Sequence, residues 1–142
     1  MADGVFNIAK GAFAEMFRDS AAKGILLLLT TSEAAAALVD YDDLAAMLAG
    51  APVEAVDASY ARKTGITGTI TVDDTNDRVD VDIPNQTFSA LDGAAIVAAI
   101  FAYENAAADA TRVPLSYHDI AITPDASDVT IEINASGIVR SA

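Results

Sequence analysis

The sequence predicts an α+β domain, mainly an antiparallel β-sandwich or barrel-like body, with an N-terminal helix and a second short helix in the first 50 residues. The length of 142 residues is that of one domain with a core of its own. Helical spacing and capping residues are confined to the first third of the chain, and β-branched stretches alternate with turn residues thereafter. We therefore predict one domain over 1–142, made of an N-terminal helical arm (1–20), a strand plus short helix (25–50) and a β-rich body (53–142).

Residues 4–18 have the spacing of an amphipathic helix. Apolar side chains recur three or four positions apart, and those on or beside one face are Val5, Phe6, Ala9, Ala12, Phe13, Met16 and Phe17. Burying a phenylalanine is worth roughly 1.5–3 kcal/mol, so something must cover the three in this segment. The cover is either the domain's own sheet or a neighbouring subunit, and the candidate subunit-contact residues are Phe6, Phe13, Met16 and Phe17.

The next segment predicts a strand followed by helical turns. The stretch "ILLLLTT" (25–31) is short and apolar, which favours a buried strand. Ser32 precedes an alanine run and Asp40 precedes "YDDLAAMLA", so both are predicted helix N-caps, and Gly50 is a predicted C-terminal stop. The apolar face of the second helix would be formed by Leu44, Met47 and Leu48.

The remainder of the chain reads as short strands separated by turns. The predicted strands are 67–72, 78–83, 86–90, 94–104, 117–123 and 128–133. Segment 94–104 is ambiguous because its alanines also suit a helix, but Gly93 and the β-rich surroundings favour a strand. Regular spacing of such strands predicts a sandwich or barrel.

An aspartate-rich stretch, "TVDDTNDRVDVDI" (71–83), carries five aspartates: Asp73, Asp74, Asp77, Asp80 and Asp82. Strict alternation places Asp80 and Asp82 opposite the apolar residues of one strand, so we predict the solvent-exposed face of a hairpin. The stretch lacks the glycine and ligand spacing of an EF-hand loop in either register. An irregular calcium site remains the alternative interpretation.

Residues for catalysis are few. His118 is the only histidine and cysteine is absent, which excludes two-histidine and thiolate metal sites within one chain. A Ser–His–Asp arrangement could be assembled around His118, but no G-x-S-x-G motif supports it. We predict a non-enzymatic protein with no catalytic, cofactor or metal residues, and an acidic-pocket enzyme or calcium-binding module is the third alternative.

The charge balance bears on partners. The net charge is −13, from 21 acidic and 8 basic residues, so the chain cannot present a phosphate-neutralising patch and nucleic acid is not an expected partner. The longest aliphatic run is 25–29, far short of the roughly 20 residues that cross a bilayer. We expect neither a membrane span nor a secretory signal.

An ordered set of motifs resembles a family of small structural proteins of tailed-bacteriophage virions. The set comprises "FNIAKGAFAEMF", "ILLLLTTSE", "DYDDLAAMLAGAPVEA", "SYARKTG", "DDTNDRVDVDIPNQTFSALDGA", an apolar strand "IVAAIFAYE", "TRVPLSYHDIAIT" and a C-terminal "DVTIEINASGIVRSA". The recurring Y-x-R-K element corresponds to Tyr60, Arg62 and Lys63, and the following T-[FW] dipeptide to Thr87 and Phe88. Relatives often place tryptophan where this chain has Phe88.

The resemblance implies a non-enzymatic virion protein, with no catalytic residues to carry over. Because a chain at −13 should avoid packaged DNA, we expect the outer head surface and a capsid decoration, or cement, role. The expected partners are the major capsid protein or other virion subunits, and the expected oligomer is a trimer or ring. A neck or tail component, such as a connector or fibre-base subunit, is the alternative. Synthesis would take place in the bacterial host cytoplasm.

Overall fold

The computed structural model describes residues 3–9 and 13–141. Its strands are β1 (Gly4–Val5), β2 (Gly24–Thr31), β3 (Val53–Glu54), β4 (Lys63–Ile66), β5 (Thr69–Asp73), β6 (Arg78–Asp82), β7 (Gln86–Leu91), β8 (Ile96–Glu104), β9 (Arg112–Ile122), β10 (Ser127–Ile131) and β11 (Val139–Ser141). Its helices are α1 (Phe13–Asp19), α2 (Ala35–Leu38) and α3 (Leu44–Ala49), and 3₁₀ turns span Asn7–Ala9, Ala21–Lys23 and Asp109–Thr111. No helix in these ranges is long and apolar enough to cross a bilayer.

A six-stranded antiparallel sheet forms the centre of the molecule. Its order is β1-β9-β8-β2, and β3 and β4 share the far edge of β2. The first six residues of β2 are all buried because both faces of the sheet are covered. The predictions of a buried strand at 25–31 and of a strand at 94–104 are confirmed.

Different elements cover the two faces. On one face, Phe17 of α1 stacks on Phe101 of β8, with ring centroids 5.7 Å apart, and meets Tyr103 edge-on at 5.2 Å. The small sheet β11-β6-β5 lies beside α1 on this side. On the other face, Phe6 packs edge-on against Tyr117 of β9. Helix α3 also contacts β9.

The α+β prediction is therefore confirmed, with mainly antiparallel strands. The barrel-like alternative is wrong, because the strands form a six-stranded, a two-stranded (β10–β7) and a three-stranded sheet rather than one closed sheet. Strand β9 begins at Arg112, five residues before the predicted start.

The predicted helix over 4–18 is wrong in its first half. Residues 4–5 form a strand paired with β9, a 3₁₀ turn follows, and the α-helix begins at Phe13. Residues 10–12 lie outside the described part of the chain. Pairing with β9 supplies backbone partners for these residues and outweighs the helical spacing. Residues 3–9 of the predicted arm are thus not helical in the predicted way, because they lie on the sheet, whereas Phe13–Asp19 is an α-helix.

Two predicted N-caps are also wrong. Helix α2 begins after Ala34 without a side-chain cap, so Ser32 does not cap it. Helix α3 is capped by Asp43, whose carboxylate accepts the Ala46 N–H at 2.8 Å, rather than by Asp40. Gly50 follows the last residue of α3, as predicted.

Candidate functional site

A network of charged side chains joins three loops around Arg62. The Arg62 guanidinium donates to both carboxylate oxygens of Glu54, in β3, at 2.6 Å each. It also donates to both oxygens of Asp109, in the third 3₁₀ turn, at 2.6 and 2.9 Å. Such two-pronged pairing is the strongest geometry for an arginine and a carboxylate. The side chains of Arg62 and Glu54 are each 17% exposed, so the charges are largely removed from water.

Two further residues extend this network to the ends of β8 and β9. Arg112 donates to Asp109 at 2.8 Å and to Glu104 at 2.5 and 3.0 Å. We call the set Glu54, Tyr60, Arg62, Glu104, Asp109 and Arg112 the Arg62 network. It connects segments separated by up to 47 residues in sequence, which fixes the loops at one end of the central sheet.

Tyr60 joins the network to the backbone of β2. Its hydroxyl accepts the Leu28 N–H at 3.0 Å and donates to Glu54 at 2.8 Å. Leu28 lies between the stretches of β2 that pair with β3 and β4, so the tyrosine satisfies a backbone donor there. The Tyr60 ring stacks on the Phe88 ring, with ring centroids 5.9 Å apart. Lys63 Nζ lies over the Phe88 ring, 5.0 Å from its centroid, in a cation–π contact.

The Y-x-R-K and T-F motifs therefore meet in space, since Tyr60 and Lys63 each contact Phe88. Thr87 instead contacts the neighbouring strand of the two-stranded β10–β7 sheet, where its hydroxyl shares a hydrogen bond with Thr130. The sequence did not indicate that Glu54 and Asp109 are the carboxylates that pair with Arg62, because a pairing between distant loops has no local sequence signal.

The pKa values of Asp109, Arg62 and Tyr60 are shifted within the network. Hydrogen bonds from Arg62 lower the pKa of Asp109 from 3.8 to about 2, and Arg112 adds to the effect against the opposing cost of burial. Hydrogen bonds to Glu54 and Asp109 raise the pKa of Arg62. Burial raises the pKa of Tyr60 well above its ordinary value. Asp109, Arg62 and Tyr60 therefore each keep one charge state at neutral pH. Such groups are suited to holding loops together by ion pairs rather than to transferring protons.

A second polar cluster surrounds the single histidine. Ser116 Oγ and His118 Nε2 share a hydrogen bond of 2.9 Å, and His118 Nδ1 lies 3.5 Å from the Asp3 carboxylate. The other Asp3 oxygen accepts the Asp119 N–H at 2.7 Å. Asp3, His118 and Asp119 border a cavity of about 260 Å³ between the central sheet and the β10–β11 connection, with Leu26 and Ala99 among its apolar lining.

This constellation has the residue types of a hydrolytic triad but not its geometry. Ser116 is only 1% exposed, so its hydroxyl cannot meet a substrate carbonyl without rearrangement of the sheet. The Asp3–His118 separation is an ion-pair distance, longer than a hydrogen bond. What the cluster does in this structure is attach β1 to β9.

The aspartate-rich hairpin differs from its prediction at Asp80. That side chain was expected on the exposed face, but the residue is 7% exposed and pairs with Arg140 at 2.8 Å and Arg78 at 3.1 Å. Strand β11 pairs with β6 and brings Arg140 over it, which covers the carboxylate. Asp74 and Asp77 in the turn are exposed, and Asp82 is half-buried. Within residues 3–9 and 13–141, no group of three acidic or histidine residues is arranged to hold a metal ion.

The candidate subunit-contact residues occupy the chain's own core. Phe6, Phe13 and Phe17 are 0%, 3% and 2% exposed, and Met16 is half-buried. The sheet therefore covers the three phenylalanines, which is the alternative that the sequence left open.

Comparison with protein-family models, curated proteins and solved structures finds no match to this chain.

Proposed function

We propose that this chain is a non-enzymatic structural protein of a tailed-bacteriophage virion, a capsid decoration protein that binds the outer head surface and stabilises contacts between capsomers. The observation that carries the proposal is that the arginine side chains are paired with carboxylates of the same chain. All five arginines lie in ion pairs with carboxylates of the same chain: Arg18, Arg62, Arg78, Arg112 and Arg140. Few cations are left to meet phosphates.

This charge distribution supports a position in the virion away from nucleic acid. With net charge −13 and its arginines paired internally, the protein presents a negative surface that packaged DNA repels. A decoration protein on the outer head surface faces solvent and protein, where such a surface is tolerated.

The Arg62 network supports a mechanical role. It links β3, the segment before β4 and the β8–β9 connection through short, largely desolvated contacts. A cement protein needs such rigidity, because it resists outward pressure only if its own loops do not yield.

The test is the number of copies per particle. Particles of the phage that encodes the chain would be purified and the chain quantified against the major capsid protein by mass spectrometry. Hundreds of copies support the decoration role. A count of about six or twelve, the order of a ring at one vertex, would assign it to the neck or tail instead. Absence of the chain from particles would overturn the proposal.

A companion measurement addresses the cement mechanism. Particles from a phage lacking the gene should release DNA at a lower temperature than complete particles. Adding back the purified chain should restore the release temperature, because added contact area across capsomer joints is what stabilises the shell. An unchanged release temperature would contradict a stabilising role even if the copy number is high.

A further inference from the structure

The cavity between β9 and the β10–β11 connection has largely apolar walls. Four isoleucines from three segments line it: Ile120 in β9, Ile131 at the end of β10, and Ile133 and Ile138 in the β10–β11 connection. The first three are only half-buried, although they pack against the core, so part of their apolar surface is open to the cavity. Single exposed apolar residues are ordinary on a protein surface, but several around one concavity are typical of a binding site.

The size of this cavity limits what it can hold. Its volume is about 260 Å³. An apolar cavity of about 150 Å³ is enough for one benzene ring, whereas pockets for drug-sized ligands have about 300–1,000 Å³. The cavity therefore suits a molecule with one aromatic ring or a short alkyl chain.

Asp3 and His118 form a polar side of the cavity. One oxygen of the Asp3 carboxylate, Oδ1, accepts the Asp119 N–H at 2.7 Å. The other oxygen, Oδ2, lies 3.5 Å from His118 Nδ1, which is longer than a hydrogen bond. The Asp3 side chain is 62% exposed. Oδ2 can therefore accept a hydrogen bond from a ligand while Oδ1 keeps its bond to β9.

The charges around the cavity favour a cationic ligand. Asp119 and Glu132 border it together with Asp3, and of the described residues that line it none is a lysine or an arginine. An adjoining open cavity shares Asp3 and includes Arg140, but that arginine is paired with Asp80 at 2.8 Å. With a net charge of −13, the chain attracts an ammonium group to this site and repels an anion.

We propose that this cavity binds a small organic amine, a ligand with one primary ammonium group and an aromatic or short alkyl body. The ammonium group donates to Asp3 Oδ2, and the apolar body lies among Ile120, Ile131 and Ile133. Burial of the body supplies affinity, and the charge-assisted hydrogen bond fixes the orientation of the ligand. This site goes beyond the proposed virion function and does not depend on it.

The test is a titration of the isotope-labelled full chain with 2-phenylethylamine at pH 7, where a primary amine is protonated, followed by heteronuclear NMR. We expect saturable shifts of the amide signals of Ile120, Ile133 and Ile138. The neutral analogue 2-phenylethanol should bind at least about tenfold more weakly, because it lacks the charge-assisted hydrogen bond. The anion 3-phenylpropionate should not bind. Equal affinity for the amine and the alcohol, no saturable binding of the amine, or shifts confined to other parts of the chain would overturn the proposal.

An Asp3→Asn variant tests the carboxylate. Asparagine keeps an oxygen that can accept the Asp119 N–H, so the attachment of the N-terminal segment is preserved. We expect the affinity for 2-phenylethylamine to fall at least about tenfold and the affinity for 2-phenylethanol to stay unchanged. Asp74→Asn is the matched control, since it removes the same charge from an exposed turn and should leave the amine affinity within about twofold. Equal losses in the two variants would assign the effect to net charge and overturn the proposal.

An Ile133→Phe variant tests the apolar wall. The larger side chain should occupy part of the cavity, so we expect it to weaken the binding of both the amine and the alcohol at least about tenfold. Circular dichroism checks that the variant is folded, and unchanged binding by a folded variant would overturn the location of the site. If Ile133→Phe does not fold, the Asp3→Asn comparison and the wild-type shifts still decide the proposal.

Discussion

The Arg62 network and the aspartate-rich hairpin (residues 69–82) use the same residue types in different ways. In the network, two arginines make short, mostly two-pronged contacts with three carboxylates drawn from distant parts of the chain. In the hairpin, Arg78 and Arg140 converge on Asp80, while Asp74 and Asp77 stay exposed in the turn. The hairpin is already closed by its own backbone pairing, so the exposed carboxylates of Asp74 and Asp77 serve as surface charge.

The comparison teaches that burial by a later element, and not local sequence, separates a structural carboxylate from a solvated one. Asp80 and Asp82 are two positions apart on one strand. Strand β11 covers Asp80 with Arg140 and leaves Asp82 half-buried, where it accepts only the neighbouring Ile83 N–H. The predictions below test this separation, beginning with the largest expected effect.

Arg62→Met should be the most damaging of these substitutions. The substitution removes the guanidinium that pairs with both Glu54 and Asp109 and leaves the two carboxylates in a partly desolvated site. We therefore expect the free energy of unfolding to fall by about 3 kcal/mol. The measurement is urea unfolding followed by circular dichroism. The matched control is Arg18→Met, which removes an exposed pair with Glu15 and should cost about 0.5 kcal/mol or less. Equal losses would mean that the network contributes no more than a surface pair.

Asp80→Asn should cost about 1–2 kcal/mol, because the substitution leaves Arg78 and Arg140 facing a neutral group in a buried position. Asp82→Asn is the control, since asparagine keeps the oxygen that accepts the Ile83 N–H, and its effect should be within about 0.5 kcal/mol. Thermal unfolding of the two variants decides the point. If both are neutral, the whole strand face behaves as the solvated surface that the sequence predicted.

Ionised Asp109 should account for a measurable part of the stability that the folded chain loses at acidic pH. Its pKa is about 2 in the folded chain and 3.8 as the ordinary value, so the unfolded chain binds more protons between these values. The stabilisation is complete above pH 3.8 and is lost as the pH falls through about 2. Allowing for partial exposure, we expect about 1 kcal/mol.

Asp109→Asn should therefore be less stable at neutral pH and lose less stability on acidification than the wild type. The check is a series of urea unfolding curves from neutral pH to pH 2, the folded value. Parallel pH profiles for the two chains would show that the Arg62 pairing does not stabilise the ionised form of Asp109.

Asp77→Gly should give the smallest effect and the opposite sign. Asp77 has a φ of 49°, in the left-handed region where a side chain is strained, and it is exposed in an acidic turn. Glycine removes the strain and one negative charge, so we expect stabilisation by about 0.5 kcal/mol after the entropic cost of glycine. Asp74→Gly, at a position without positive φ, should not stabilise, and a gain there would point to charge alone as the cause.

Much of the strand pattern was accessible from sequence because its signals are local. The apolar run of β2, the alternation of β6 and the turn residues between strands predicted these elements near their observed positions. The beginning of β9 was missed because it contains Pro114, which argues against a strand. The register shift between β8 and β9 at this point accommodates the proline.

The sequence by itself determined the α+β class, most of the longer strands, the acidic net charge and the need to cover three phenylalanines near the N-terminus, since each follows from composition or from spacing within one segment. Only the tertiary structure decided what covers those phenylalanines, which residues partner Arg62, and that Asp80 is buried. It also decided that residues 4–5 form a strand, because pairing with β9 supplies backbone hydrogen bonds that outweigh a helical preference. These outcomes depend on contacts between residues far apart in the chain, for which no local pattern exists.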